Sequence, residues 1–349
     1  MVTIVSEKIK YIDKNSEVPL MGVDFLGVID RGTNIIELKP LTLCNLRCKY
    51  CFVSSGDYTT NFIVNSQYLV ERVKEIAEIK GNYDLEIHIA PYGEILLYKE
   101  LYDLLGSLSE INGVSIISIQ SNGLLLTEKI IEKLKESNLT RINISLNSLK
   151  EEYASYLCNC THYDVEKLIE NLYFLLNNNI QVLLAPIWFP GENEEDIEEI
   201  IELVLKLRSE GFSKRQIQIG IQKYLIYKTG RTLKKIRPKT WKYFYLQLSR
   251  LEKKYDIKLK LGPRDFGIHK RTQVPIFNLK KNDLLNVKIV SRGRWLNECI
   301  GKINDNQGIK ILLKKPLGFS EELIGKVIVA KVIKANYRDN ILTALFPYN

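Results

Sequence analysis

Leu43-Cys44-Asn45-Leu46-Arg47-Cys48-Lys49-Tyr50-Cys51-Phe52 is the stretch on which the fold and chemistry of this chain turn. Its three thiols are spaced C-x3-C-x2-C, after a β-rich run from Asn34 to Leu38 and the connector Lys39-Pro40-Leu41-Thr42. A structural zinc site asks for four tetrahedral ligands, often as two C-x2–4-C pairs, and no second pair with that spacing is present. Disulfides need pairs and an oxidising compartment, to which nothing in the chain points. Three thiolates on a cubane four-iron cluster leave one iron without a protein ligand. An open coordination position is where a metal does chemistry rather than only holding structure.

With the aromatic Tyr50 directly before the third cysteine, the stretch resembles the signature of the radical S-adenosylmethionine (SAM) enzymes. The resemblance implies that Cys44, Cys48 and Cys51 hold a [4Fe-4S] cluster whose open iron is chelated by the amino and carboxylate groups of SAM. An electron from the cluster then breaks the sulfur–C5′ bond, and the 5′-deoxyadenosyl radical abstracts hydrogen from substrate. A one-electron donor such as ferredoxin or flavodoxin is implied as partner. The organic chemistry is the cofactor's; the protein positions it and excludes water and oxygen.

From Asn34 onward short β-rich runs alternate with amphipathic helical stretches. Strands are expected at Asn34 to Leu38, Leu85 to Ala90, Val114 to Gln120, Arg141 to Leu146, Ile180 to Ile187 and Gln216 to Gln222. Helices are expected near Ser66 to Ile79, Leu97 to Leu108, Glu128 to Glu136, Val165 to Leu176, Glu194 to Leu207 and Trp241 to Lys254. This is the pattern of an α/β fold, a six-fold (βα) partial TIM barrel, which the resemblance also implies. Ligands in such folds collect where the strands end.

The remaining motifs obey that rule. Pro91-Tyr92-Gly93-Glu94 follows the second strand and resembles the family's Gly-Gly-Glu, with Tyr92 in place of the first glycine. Ser121-Asn122-Gly123 resembles its Thr-Asn-Gly, although Asn-Gly is also an ordinary turn. Ser145 and Asn147 are read as alternate positions on one face of the fourth strand. The SAM contacts implied by the resemblance are therefore Tyr50, Gly93, Glu94, Ser121, Asn122, Ser145 and Asn147. Cys158 and Cys160, with only Cys299 elsewhere, are too few for a second four-cysteine cluster and read as ordinary reduced thiols.

Charge divides the chain of 349 residues. Residues 1–213 carry 19 Lys and Arg against 32 Asp and Glu, net −13, whereas residues 214–349 carry 31 against 9, net +22. A basic region behind an acidic catalytic core is the asymmetry expected for docking on a polyphosphate. Between Lys223 and Lys242 cations alternate with Tyr224, Tyr227 and Trp241, so phosphate neutralisation and base stacking are available together. A stretch rich in Gly and Pro follows, and then five short β-rich runs from Leu285 to Phe346, which read as a small closed β-barrel. That barrel resembles a TRAM domain, an RNA-binding module, and the whole chain resembles an archaeal TRAM-bearing group of radical SAM proteins.

The expected divisions are a lead-in at 1–33, the radical SAM partial barrel at 34–260, a linker at 261–279 and the TRAM-like barrel at 280–349. Modification of a nucleotide in tRNA or another structured RNA is the expected reaction. Lys223, Arg231, Lys234, Lys235, Arg237, Arg292 and Arg294 are the candidate RNA contacts. Modification of a protein or peptide is the enzymatic alternative, and an RNA-binding protein with a structural or redox-sensing cluster the non-enzymatic one. Methylthiotransferases carry three further cysteines in an N-terminal domain; none precedes Asn34, so sulfur insertion is not expected. No apolar run is long enough to span a bilayer and the start lacks a signal-peptide pattern, so a cytoplasmic location is expected.

Overall fold

The computed structural model describes residues 8–348 apart from 276, 278 and 337. The first seven residues of the expected lead-in, two positions of the expected linker and the last residue lie outside the described residues. The six expected strands are present as β1 (Ile35–Lys39), β2 (Leu85–Ile89), β3 (Val114–Ser121), β4 (Arg141–Ile144), β5 (Gln181–Leu184) and β6 (Ile217–Ile219). Among the described residues seven α-helices accompany them, α1 (Ser66–Lys80), α2 (Leu101–Ser109), α3 (Glu128–Glu136), α4 (Glu151–Cys158), α5 (Val165–Asn177), α6 (Glu194–Ser209) and α7 (Trp241–Tyr255). Of these α4 was not expected, nor was a strand at Thr60–Val64. The strands pair in parallel, β1 with β2, β3 with β4, β4 with β5 and β5 with β6, as a partial (βα) barrel requires.

Local chemistry explains the helix ends. Asn65 caps α1 by accepting from the Tyr68 amide, and Gly81 closes it at φ 100°, where a side chain would be strained. Within α1 the buried Leu69, Val70, Val73, Ile76 and Ala77 recur at the spacing of one helical face. Thr127, Asp164 and Thr240 cap α3, α5 and α7 in the same way.

The chain forms two compact units. The first comprises residues up to 43, 57–115 and from 270 onward. In it Gly27–Asp30 pairs antiparallel with β1, and Lys8–Ile12 pairs in parallel with Thr60–Val64. It also contains a closed five-stranded barrel of β7 (Leu284–Arg292), β8 (Glu298–Lys302), β9 (Gly308–Leu313), β10 (Val327–Asn336) and β11 (Ile341–Phe346), in the order β7-β8-β9-β11-β10. Val287, Ile289, Cys299, Ile309, Ile311, Ala330, Leu342 and Ala344 fill its interior. Met21 and Gly22 lie against it, their carbonyls accepting from the Gly308 and Leu342 amides at 2.7 and 2.9 Å. The second unit, residues 44–56 and 116–269, holds the cysteine loop and β4 to β6.

Two charged clusters brace the first unit. Lys80 and Asp30, both wholly buried, pair at 2.6 Å, and Lys80 also donates to the carbonyls of Thr33 and Thr272. Breaking such a pair by removing one partner typically costs about 3–5 kcal/mol, because the other charge is left buried. Glu37 on β1 receives Lys39 at 2.7 Å and Arg31 at 2.6 Å, and Arg31 reaches on to Asp339 at 2.7 Å. Burial alone would raise the Glu37 pKa, but the charges of Lys39 and Arg31 together hold it at about 2.

The stability contributed by Glu37 is therefore complete above its ordinary value of 4.5 and is lost as pH falls towards about 2. Replacement Glu37→Gln should lower stability at pH 7 by on the order of 3 kcal/mol or less. That difference from wild type should shrink between pH 4.5 and 2. Thermal unfolding across this pH range checks the expectation; a constant difference would show that this carboxylate contributes no proton linkage.

Candidate cluster and cofactor site

The cysteine loop has little regular secondary structure, so its backbone groups must find partners elsewhere. Arg231 supplies three of them: its amide donates to the Cys51 carbonyl at 2.8 Å, its Nε to the Cys48 carbonyl at 2.7 Å and its Nη2 to the Ser55 carbonyl at 2.8 Å. The planar, rigid fork of a guanidinium suits this work, and a lysine would not reproduce it. Next to it Gly230 runs so close to Phe52 that a Cβ would stand 2.8 Å from that carbonyl oxygen. Opposite, the Lys49 amide donates to the Leu157 carbonyl at 2.8 Å, and the Lys49 ammonium lies 3.3 Å from the centre of the Tyr156 ring.

Tyr50 turns inward against Phe189, ring centres 5.2 Å apart, and its hydroxyl accepts from the Asn147 amide at 2.6 Å. The Asn147 oxygen in turn accepts from the Ile187 amide at 2.8 Å. Asn193 donates to the Ile187 carbonyl at 2.9 Å and accepts from the Phe189 amide at 2.7 Å. Asn122 donates to Asn45, between the first two cysteines, at 2.8 Å, and its carbonyl accepts from Tyr163 at 2.7 Å. Ser145 accepts from Gln120 at 3.0 Å, while the Ser121 hydroxyl accepts from the Gly123 amide at 3.0 Å. Hydrogen bonds thus tie Tyr50 to Asn147 and Asn45 to Asn122. The expected shared strand face for Ser145 and Asn147 is corrected: β4 ends at Ile144, because the Leu146 amide turns back onto the Ile144 carbonyl, and both residues stand on the loop beyond.

All three loop thiols are partly buried. The Cys48 thiol is pushed well above the ordinary range, first by its hydrogen bond to Cys158 and then by burial. Burial also raises Cys51, against the amides of Val53 and Ser55 and the charge of Arg231. Cys158 is buried beside Cys48. Its place beside Cys48 was not foreseen, because α4, which carries it, was not expected.

The donor set fits a four-iron cluster, with three thiols on one loop and two amides and a guanidinium to stabilise thiolate charge. Among the described residues no three His, Cys, Asp or Glu side chains converge as on a single ion. One thiolate at each of three cubane corners asks for no such convergence.

Gly93 and Glu94 belong to the first unit. A Cβ on Gly93 would lie 1.9 Å from the carbonyl oxygen of Leu43, the residue before Cys44, so only glycine fits. The Glu94 amide donates to that same carbonyl at 2.7 Å, and the buried Glu94 carboxylate accepts from the Leu96 amide at 3.0 Å.

The candidate RNA contacts divide. In the second unit Lys234, Lys235 and Arg237 are exposed, and Lys223 lies 5.0 Å above the Trp241 ring. Tyr224 is buried, its hydroxyl accepting from the Leu233 amide, whereas Tyr227 and Trp241 are about half exposed. Arg231 is turned to the cysteine loop. In the first unit Arg292 pairs with Glu321 and faces Phe319. Arg294 is only 2% exposed and is ion-paired inside the protein, so its guanidinium does not face solvent as a phosphate contact must.

Residues 38–204 match the model of the radical SAM superfamily. The uncharacterized protein MJ0103 of Methanocaldococcus jannaschii is 33% identical across 97% of this chain and 81% of its own length. The GTP 3′,8-cyclase of Alkaliphilus metalliredigens is 29% identical over 176 residues, 50% of this chain and 53% of the cyclase. The chain thus spans about half the length of that cyclase. The crystal structure of HydG, a maturase of the [FeFe]-hydrogenase, shares the fold with a TM-score of 0.50 at 12% identity, over 72% of this chain and 56% of that one. No described helix is long and apolar enough to cross a membrane.

Because iron binds thiolates and the Cys48 and Cys51 thiols are held protonated at neutral pH, cluster loading must release protons. Iron bound per chain at limiting iron should rise with pH from 6.5 to 8.5, and Cys158→Ala should move that curve towards lower pH by removing the largest cause of the Cys48 shift. Superimposable curves for the two proteins would exclude the Cys48–Cys158 contact as a determinant of loading.

Proposed function

Because the chain belongs to the radical SAM superfamily, we propose that it is an RNA-modifying enzyme that acts on a nucleotide of tRNA or another structured RNA. The cluster and SAM, when bound, supply reductive cleavage of the cofactor and hence a 5′-deoxyadenosyl radical. Cys44, Cys48 and Cys51 hold the cluster. Glu94 offers a carboxylate to the SAM ammonium, with Gly93 allowing the backbone close approach. Asn122 and Asn147 order the loop around the cysteines through Asn45 and Tyr50, and Ser121 and Ser145 offer hydroxyls beside them. A one-electron donor of the ferredoxin or flavodoxin kind and a reducing cytoplasm complete the reading.

The observation that carries the RNA substrate is the exposed cation–aromatic surface of the second unit. Lys234, Lys235 and Arg237 precede Trp241, Tyr243 and Tyr245, whose rings are each about half exposed, with Trp241 and Tyr245 stacked 5.9 Å apart. Cations neutralise phosphates and flat rings receive unpaired bases, so the combination suits a folded single strand better than a protein surface. The closed barrel at 284–346 supports the same reading through its resemblance to TRAM. A second reading, a free guanosine nucleotide, is favoured by the similarity to GTP 3′,8-cyclases over half of the chain.

The test is SAM cleavage by the reduced, anaerobically reconstituted protein, with tRNA, with GTP and with neither. We expect 5′-deoxyadenosine to rise with tRNA, a nucleoside of new mass to form, and Cys48→Ala to abolish both. Stimulation by GTP alone would establish the second reading; cleavage indifferent to both would turn the search to proteins or peptides.

Replacing Lys234, Lys235 and Arg237 by Ala should weaken tRNA binding and reduce the slope of log affinity against log salt by about two to three, near one for each phosphate no longer neutralised. Titrations between about 50 and 200 mM salt, the range over which counterion release dominates, read it. An unchanged slope would remove these three cations from the interface.

A further inference from the structure

Arg294 was expected to bind a polyanion, yet its environment gives it other work. It sits at the tip between β7 and β8, a turn so tight that a Cβ on Gly293 would lie 2.4 Å from the Glu298 side chain. The tip directs the guanidinium inward. There its Nε lies 3.5 Å from Glu298 and its Nη2 3.9 Å from Asp24, a carboxylate shared with Lys310 at 2.8 Å. Three rings surround it, Phe25 at 4.4 Å, Tyr58 at 5.2 Å and Tyr92 at 5.4 Å. Burying a guanidinium is costly unless ion pairs and aromatic faces offset it, and here both are present.

The position of this cation is more telling than its stability. Its backbone carbonyl accepts from the amides of Thr59 and Thr60 at 2.9 and 3.2 Å and from the Thr59 hydroxyl at 2.8 Å. Phe62, two residues further along that strand, exchanges hydrogen bonds with Thr42: the Thr42 amide donates to its carbonyl at 3.0 Å, and its amide donates to the Thr42 hydroxyl at 2.9 Å. One residue of the barrel thus braces the chain just after the cysteine loop, and through the Thr60–Val64 strand the chain just before it. The same residue contacts Tyr92, whose ring centre also lies 4.6 Å from the Lys39 ammonium. Tyr92 is followed by Gly93 and Glu94, and the packing of Gly93 on Leu43 leaves no slack: a shift of Tyr92 must move the turn as a whole.

We propose that Arg294 is a positioning residue for SAM, clamping Tyr92 so that the Gly93–Glu94 turn keeps the conformation that receives the cofactor's ammonium group. The inference rests on the reading of Gly93 and Glu94 as SAM contacts. It makes the barrel part of the support of the cofactor turn, whatever else the barrel binds. It also accounts for the departure at Tyr92: a ring is needed there because a buried cation must be faced.

The experiment compares wild type with Arg294→Met, Tyr92→Leu, the double variant and Glu94→Gln, all anaerobically reconstituted. It measures iron per chain, SAM dissociation constant by equilibrium dialysis, amide exchange over residues 93–96 and tRNA affinity. Arg294→Met and Tyr92→Leu should each weaken SAM binding by about tenfold, the scale of a desolvated cation–π contact. The double variant should be no weaker than the weaker single one, because both changes break one contact. Iron content and tRNA affinity should stay at wild-type levels, and amides 93–96 should exchange faster.

Unchanged SAM affinity in Arg294→Met, with Glu94→Gln impaired, would overturn the positioning role while leaving the cofactor site standing. Unchanged affinity in Glu94→Gln would instead overturn the SAM reading beneath it. A loss of tRNA affinity with SAM binding intact would return Arg294 to the RNA surface and overturn the proposal. Should Arg294→Met fail to fold, Tyr92→Leu, which leaves every ion pair of Arg294 in place, decides the matter through the same SAM measurement.

Discussion

A loop that presents three thiols to a cluster cannot also pair its backbone as helix or strand, and Arg231 supplies the donors the loop lacks. Its three bonds to the carbonyls of Cys48, Cys51 and Ser55 hold the turn. Gly230 allows that approach, because a Cβ there would collide with Phe52. On the opposite side α4 takes up the Lys49 amide and brings Cys158 against Cys48. The cysteine motif depends for its geometry on residues that belong to no motif.

The first unit is organised by buried charge. Lys80 with Asp30, Arg31 with Asp339, and Asp24 with Lys310 and Arg294 join residues far apart in sequence. Buried ion pairs contribute little net stability against apolar packing of similar size, but each is costly to break. Their effect here is selective: an alternative packing of the barrel on Met21 and Gly22, or of residues 270–274 near Asp30, would leave charges unpaired. The strand that leads to the cysteine loop carries Glu37 and Lys39, so the charge network and the entrance to the loop share the same residues.

The basic half of the chain is not a uniform surface. Net charge counts Lys and Arg alike, yet Arg231 and Arg294 face inward to carbonyls, carboxylates and rings, while Lys234, Lys235 and Arg237 remain in water. Guanidinium is planar and able to satisfy several acceptors at once, which suits Arg231 and Arg294 to the carbonyls, carboxylates and rings around them. The aromatics divide likewise, Tyr224 packing inward and Trp241 remaining half exposed.

The sequence by itself determined the alternation of strands and helices, because periodicity of apolar side chains is a local property. All six expected strands and all six expected helices are found, and the five β-rich runs of the C-terminal region close into a barrel. The cysteine spacing and its likeness to the radical SAM signature were equally legible, since thiols close in sequence stay close in space. Short elements without a strong period, Thr60–Val64 and α4, were not. Only the tertiary structure decided what Arg231, Arg294, Cys158 and Asn193 do. Arg231 meets Cys48 across 183 residues and Arg294 meets Thr59 across 235, and no local pattern encodes such a meeting. An arginine reads as a surface cation until the fold supplies the carbonyls, carboxylates and rings that make its burial favourable.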